Sequence, residues 1–543
     1  MDGHELKNGL LMNYRIHQLI LPLDYEEKDL RAAVCRKLGC RADQLLAVSI
    51  VRRSVDSRPR CHGPVFVLSV EVRTSAAIDL PADDVEAFSP EDFDVPPVLK
   101  NKGRLRPVVV GAGPAGLMAA LTLAGAGLNP VILERGASCD ARSEKVRLFW
   151  KHGSLDPQTN VLFGEGGAGL FSDGKLTSRS KDRPRVRRFL DTLVRCGAPE
   201  NIRIDAEPHL GSDALMRIVP KLRRHIEENG GEFRFNALLE DMRVENGSLR
   251  ALRVNGSWMD ADACMLAAGH SARDMYGMLG GAGATLAAKP FAVGVRLELA
   301  QDRIDRAQWG RWAGHPRLGA AAFRLTHSGR DPHRACYTFC MCPGGEVIPC
   351  ASAPGEMTTN GMSYAARSGA FANAAFLVPV DPQDFPASEN LPGVLAGCEF
   401  QADIERAVFA SGGSDYSLPA SDLESFLKGR APEVLPGRSW ARSRPADIRR
   451  CLPDFVADSL ADAIPAMLKR LKGVGPEEAL LYAAETRSSS PVRVLRGKDG
   501  QALGVRGLFP CGEGSGYAGG IVSSAVDGII AAEALLCTGG PSD

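Results

Sequence analysis

The chain has 543 residues, 44% hydrophobic and 24% charged, which excludes a disordered or fibrous polymer and allows several packed domains. Its 65 basic and 65 acidic residues balance to a net charge of +0, which excludes a protein that reads phosphate backbones over its whole surface. The 14 cysteines of so long a chain read as mostly reduced thiols and not as a disulfide framework.

The polar start MDGHELKNG shows no basic run followed by an apolar export segment, and no stretch approaches about 18 uncharged apolar residues; a cytoplasmic protein without a membrane span is expected. Residues 11–22 partly alternate and predict a strand, 25–38 carry helix periodicity up to Gly39, and 45–52 and 64–73 predict two further strands. This order predicts a small α+β module over 1–80. Residues 1–100 hold 13 Lys/Arg against 16 Asp/Glu, so the module has no basic excess. Arg52, Arg53, Arg58 and Arg60 nevertheless form a local cluster. An acidic, proline-bearing connector follows over 81–106.

At Pro107 the pattern changes. Val108, Val109 and Val110 form a buried-type strand that enters Gly111-Ala112-Gly113-Pro114-Ala115-Gly116. Gly111 permits the tight turn, Gly113 the approach of a pyrophosphate and Gly116 close packing of helix on strand, while Pro114 suits the first helical turn. The next apolar strand, 130–133, delivers Glu134 at its carboxyl end, where a carboxylate can accept the ribose hydroxyls of an adenosine. The unit predicts an adenine dinucleotide.

Two distant segments favour FAD over NAD. A glycine-rich loop, 160–175, follows Arg135-Gly136, and Gly512-Glu513 precedes a last helix whose first amides, near Gly519 and Gly520, would face a flavin edge. The candidate cofactor residues are Gly111, Gly113, Pro114, Ala115, Gly116, Glu134, Arg135, Lys145, Gly167, Asp173, Gly174, Ala268, Gly269, Gly512, Glu513, Gly520 and Ile521. The GGAGA run at 280–284 follows a helix instead of a strand, so it supplies no second dinucleotide turn for a resident NAD(P)H.

Over nearly its whole length the chain resembles the FAD-dependent dehydrogenase family, within the glutathione-reductase-like FAD/NAD(P)-binding flavoprotein superfamily. The resemblance is carried by GAGPAGLMAA (111–120), NVLFGEGGAGLFSDGKLTSR (160–179), CMCPGGEVIPCAS (340–352), TNGMS (359–363), ETRSSSPVRV (485–494) and GEGSGYAGGIVSSAVDG (512–528). It implies bound FAD on an α/β fold: a Rossmann-like FAD-binding domain assembled from two distant segments, 107–290 and 481–543. The 291–480 stretch would be an inserted α+β substrate or cap domain over the flavin. It names no substrate. The expected activity is an FAD-dependent dehydrogenase or reductase that acts on a small molecule by hydride transfer, with NAD(P)H or a protein as a transient electron donor. The alternative is a flavin-dependent RNA-modifying or RNA-associated protein that uses the N-terminal module as an adaptor; the neutral net charge argues against nucleic acid.

For catalysis, Lys175 closes the glycine-rich loop after Asp173, where an amine would favour negative charge on a reduced flavin. Its bland reading is an ion pair with Asp173. Arg487, in the polar segment with Ser489, Ser490 and Arg493, would bind the ring edge or an anionic substrate; an exposed turn explains it almost as well. Arg142, Lys145 and Arg147 share helical spacing and would meet diphosphate or carboxylate groups, with solvation the simpler expectation for Arg142. Cys336, Cys340, Cys342 and Cys350 match no usual metal-ligand spacing, and no metal is expected. Cys340-Met341-Cys342 lacks the CxxC helix start that activates a thiol, so packing is expected of the pair. His270 reads as structural or as a neighbour of the nucleotide.

Overall fold

A computed structural model describes residues 12–58, 63–78, 83–88, 106–178, 180–385 and 393–538. Most of the connector assigned to 81–106, and Arg60, lie outside these residues. The chain divides into two compact units.

The first unit is an antiparallel sheet in the order Leu45–Asp56, Val65–Thr74, Met12–Pro22 and Val85–Ala87, with the helix Glu27–Leu38. Alternate residues of Val65–Thr74 are buried, so Phe66, Leu68, Val70 and Val72 share a core with Ile16, Val34 and Leu38. Residues 1–80 do not complete this unit. The segments Pro199–Pro208 and Gln308–Gly319 also belong to it. Arg53 exchanges backbone bonds with Ile204 and Ala206 and pairs with Asp205 at 2.7 Å. Arg317 donates to the Leu23 and Tyr25 carbonyls at 2.8 and 2.9 Å, and Trp312 packs on the core. Such excursions are held by single arginines and backbone bonds, which leave no periodic signal in the sequence.

The second unit holds a five-stranded parallel sheet in the order Leu508–Pro510, Cys264–Leu266, Val108–Val110, Val131–Leu133 and Glu232–Arg234. Every residue of its first four strands is buried, which is why each reads as a short unbroken apolar run. The last sheet strand in the chain thus pairs with one almost 250 residues earlier: the Rossmann-like domain is assembled from two distant segments. Helices Pro114–Gly125 and Ile521–Thr538 pack together so closely that a Cβ on Gly528 would lie 2.0 Å from the Ala115 carbonyl oxygen.

The inserted middle region is a seven-stranded sheet in the order Thr326–His327, Cys336–Cys342, Phe371–Val380, Phe291–Ala300, Leu480–Glu485, Leu418–Asp422 and Ser443–Pro445. The sequence boundary at 480/481 assigns all of the strand Leu480–Glu485 but its first residue to the returning FAD segment. The structure places it in this sheet, antiparallel to Phe291–Ala300. A six-residue, wholly buried run looks the same in either sheet, so its pattern alone could not assign it. Among the described residues, no helix is long and apolar enough to cross a membrane.

Candidate cofactor site

A cleft open to solvent, with about 990 Å³ of empty space, runs along the carboxyl ends of the parallel strands. Gly111, Gly113, Pro114, Ala115, Glu134, Arg135, Gly167, Ala268, Gly269, Gly512, Glu513, Gly520 and Ile521 all line it. Gly116, Lys145, Asp173 and Gly174 do not. Gly116 is a packing residue, because a Cβ there would lie 1.8 Å from the Gly111 oxygen. At Gly113 the situation is reversed. Its φ is −81° and a Cβ would meet only the Gly167 Cα, at 3.7 Å, so the space it leaves free belongs to the cleft.

Glu134 lines the cleft and also binds the backbone around it. Its Oε2 accepts from the Ala112 amide at 2.8 Å, and its Oε1 from the Gly136 and Gly164 amides at 2.9 and 3.0 Å. The buried carboxylate therefore ties the glycine turn to the 160–167 loop and keeps acceptor capacity on Oε2. Arg142 anchors the same loop from beneath. It is fully buried, not solvated. Its guanidinium donates to the carbonyls of Asn160, Val161, Gly164, Glu165 and Gly167 at 2.7–3.1 Å. Burial lowers its pKa to about 10, which still leaves it charged at neutral pH. Five carbonyl acceptors on a loop 18–25 residues away give no pattern that a spacing analysis detects. Arg135 lies over the Phe163 ring, 4.5 Å from its centroid, and pairs with Asp274.

The other end of the cleft is built from the return segment. The Gly512 amide donates to Asp527, which Arg496 holds at 2.6 Å; neither Asp527 nor Arg496 stood out in the sequence. Glu513 Oε1 lies 3.5 Å from His270 Nδ1. Burial pushes the Glu513 carboxyl up to about 7, with Lys289 opposing. Burial, with Arg487 and Arg273 beside it, pushes His270 down to about 3. His270 Nε2 and Ser271 Oγ are buried, line the cleft side and have no hydrogen-bond partner.

The remaining sequence candidates lie in two buried ionic clusters. Arg487 and Arg273 both bind the fully buried Glu405, Arg487 at 2.7 and 2.9 Å and Arg273 at 2.8 and 3.1 Å. Burial alone would raise the Glu405 carboxyl; the two arginines outweigh it and hold it well below the usual carboxylate range. In the second cluster, Asp173 binds Arg367 at 2.6 Å, with Lys175 4.0 Å away. The Lys175 ammonium donates to the Met341 carbonyl instead. Lys145 pairs with Asp156 at 2.5 Å, away from the cleft, and Arg147 pairs with Glu144 on its own helix. Ser490 is fully buried and bonded to Tyr276, so it is no exposed turn. Among the described residues no cluster of three His, Cys, Asp or Glu side chains is placed to hold a metal ion.

The site fits an extended dinucleotide. The N-termini of Pro114–Gly125 and Ile521–Thr538 both open on the cleft and offer unpaired amides to a diphosphate or a ring edge. Gly269 and Gly520 leave space that no protein atom fills within 4 Å.

Comparison with known proteins agrees. Residues 106–155 match an FAD-binding domain, residues 290–488 the C-terminal domain of FAD-dependent proteins, and residues 13–73 a domain of unknown function. An uncharacterized protein of Clostridium beijerinckii is 40% identical over 532 residues, 97% of this chain and 99% of that one. Among solved structures, a mutant of E. coli quinol fumarate reductase FrdA is 13% identical, over 81% of this chain and 71% of that one, with a TM-score of 0.36. A mutant of NikD, described as an unusual amino acid oxidase, is 12% identical, over 81% of this chain and 95% of that one, also with a TM-score of 0.36. The fold assignment rests on the strand order and the domain matches. The chain belongs to the family of FAD-dependent proteins that it shares, end to end, with the Clostridium protein, and its cofactor is FAD.

Proposed function

We propose that the protein is an oxidoreductase, a dehydrogenase or reductase, that exchanges a hydride with a small organic molecule at the His270–Glu513 end of the cleft. The observation that supports this reading is the pair of buried polar atoms, His270 Nε2 and Ser271 Oγ, that have no protein partner on two residues lining the cleft. Buried polar groups are otherwise almost always bonded, so an unpaired pair beside a ligand cleft is shaped for a ligand. Bound FAD supplies reversible hydride acceptance.

The protein supplies the remainder. Gly113 and the first turn of Pro114–Gly125 cradle the diphosphate, Glu134 Oε2 accepts from the ribose, and the Ile521–Thr538 amides meet the ring edge. His270 stays neutral at physiological pH, so its Nε2 can accept a hydrogen bond or donate one. Glu513, poised near neutrality, takes up or releases a proton at Oε1 beside His270 Nδ1. Arg487 acts as a positioning residue: with Arg273 it holds Glu405, and after burial the two arginines help keep His270 neutral. Lys175 adds a positive charge on the loop that carries Gly167.

NAD(P)H, docking transiently, is the proposed electron donor when the substrate is the acceptor. Two of the four arginines of the local cluster are engaged within their own unit: Arg53 holds Asp205 and Arg58 holds Asp56.

An anaerobic screen of small metabolites and NAD(P)H, followed at the flavin absorbance band, tests the proposal. Bleaching by one chemical class and recovery with a defined acceptor are expected. FAD that no small donor reduces, in a correctly loaded protein, would mark it as a structural cofactor and overturn the reading.

A further inference from the structure

A second cavity adjoins the cofactor cleft. It holds about 1070 Å³ of empty space, opens to solvent, and shares Arg135, Phe163 and Ser271 with the cleft. Arg135 follows Glu134 in the chain, which puts the cavity beside the ribose end. Three pieces of chain wall it. Ser271, Arg273 and Asp274 form one side and the loop 352–356 another. The third is one face of the helix Ala396–Ser411: from its N-cap Leu395, the lining residues Cys398, Ala402 and Arg406 follow at intervals of three and four.

Two polar atoms on these walls are unmet. Arg273 commits both its Nη atoms to protein acceptors: Glu405, Gln401 at 3.1 Å and Glu356 at 3.2 Å. Its Nε is buried and has no hydrogen-bond partner among the described residues. The same holds for Ser271 Oγ, on a residue only 7% exposed. Buried polar groups are otherwise almost always bonded, and an arginine Nε–H can only donate, so the missing partner is an acceptor.

Charge and surface narrow its class. The walls carry three guanidiniums, of Arg135, Arg273 and Arg406, and three carboxylates, of Asp274, Glu356 and Glu399. Arg135 pairs with Asp274, and Arg406 with Glu399 and, at 3.6 Å, with Glu356. A dianion would leave these balanced walls strongly negative. A single negative charge is offset if Glu356 takes up a proton, and burial, with Glu405 beside it, already raises that carboxyl. Pro157, Phe163, Pro354 and Leu395 line the cavity with apolar surface.

We propose that this cavity is a second ligand site, beside the ribose end of the cofactor cleft, for a small monocarboxylate with an apolar body. Arg273 Nε and Ser271 Oγ donate to the carboxylate, and Phe163, Pro354 and Leu395 enclose the body. Arg273 lines this cavity and not the cofactor cleft, so the site does not depend on the hydride substrate proposed above, and either can fail alone.

Titration calorimetry on the FAD-loaded protein, with phenylacetate as the probe, tests the assignment. One saturable site per chain is expected, with phenylacetamide, its uncharged analogue, bound at least about tenfold more weakly. Arg273→Lys keeps a cation for Glu405 but removes the Nε donor, and should weaken phenylacetate about tenfold. Ala353→Trp adds bulk to the cavity wall without removing a charge, and should abolish binding at unchanged FAD content. No saturable binding to the native holoprotein, equal affinity for the amide, or binding that both variants leave intact would overturn the assignment. If Arg273→Lys does not fold, Ala353→Trp and the amide decide.

Discussion

The two ends of the second unit's chemistry are built on different principles. Around Gly111–Gly116 the ligand is met by backbone amides and by space left where side chains are missing, all within about thirty residues of chain. Around the middle sheet the charges do the positioning: Glu405 with Arg273 and Arg487, and Arg296 with Glu485, Cys340 and Cys342. Backbone recognition is local and tolerates neutral neighbours. A buried ionic cluster is assembled from residues as much as 132 or 189 positions apart and fails as a whole when one member is lost.

Changes in the ionic clusters should therefore have a large effect on stability and a change at Gly113 a purely ligand-dependent one. Glu405→Gln leaves Arg273 and Arg487 without their shared carboxylate, and should destabilise the second unit by about 3–5 kcal/mol, read from urea unfolding. The same carboxyl gives a pH signature. Its folded pKa is depressed, so its stabilisation is present above the unfolded value, about 4.3, and is lost as pH falls below it. A Glu405→Gln chain as stable as the native one at neutral pH would remove the contrast between the two regions.

Arg142 sits on the border. It is a buried charge, yet it serves the cofactor loop. Arg142→Met should cost about 3 kcal/mol, because carbonyls of Asn160, Val161, Gly164, Glu165 and Gly167 lose their donor, and FAD should be lost with the loop. Loss of FAD with unchanged stability would mean that the loop orders only around its ligand.

Gly113→Val should separate binding from folding. The backbone there is ordinary and the added carbons enter the cleft, so the apoprotein should keep its Tm while FAD affinity falls about 100-fold, roughly 2.7 kcal/mol. Gly116→Ala, which collides with the Gly111 oxygen, should instead fail to fold. Equal losses of apoprotein Tm in both would show that neither glycine is kept for the ligand.

The same division explains how much was legible in the sequence. The strand, glycine turn, helix and Glu134 follow one another along the chain, so the dinucleotide turn could be named from spacing, while the two-segment fold came from the family resemblance. Lys145 had the right charge at the right periodicity, but Asp156 took it. Arg142 was misjudged because its acceptors are carbonyls, which every residue has. The partners of Lys175 and Arg487 come from other strands and helices, and Met341 and Glu405 carried no motif that pointed to them. The Cys340-Met341-Cys342 run was visible, but Arg296, which donates to the Cys340 carbonyl, lies 44 residues away.

The smallest effect belongs to the pair that joins the two regions, His270 and Glu513. Glu513 titrates near 7 in the folded chain and near 4.3 when unfolded, so the native state holds the extra proton and its contribution to stability falls as pH rises between those values. His270 titrates near 3 when folded and about 6.5 when unfolded, so the unfolded state holds the extra proton and stability rises with pH over that span. From about pH 4.3 to 6.5 the two slopes oppose and nearly cancel, each worth about 1.36 kcal/mol per pH unit. In the apoprotein, His270→Asn should uncover the falling slope and Glu513→Gln the rising one, with the double variant close to flat. Urea midpoints measured at several pH values between about 5 and 6.5 give these slopes. Titration of Glu405 and the other carboxyls is common to all the variants and drops out of their differences. Parallel slopes in the two single variants would show that the histidine and the carboxylate do not divide their protons in this way, and would leave Glu513 an ordinary surface acid of the cleft.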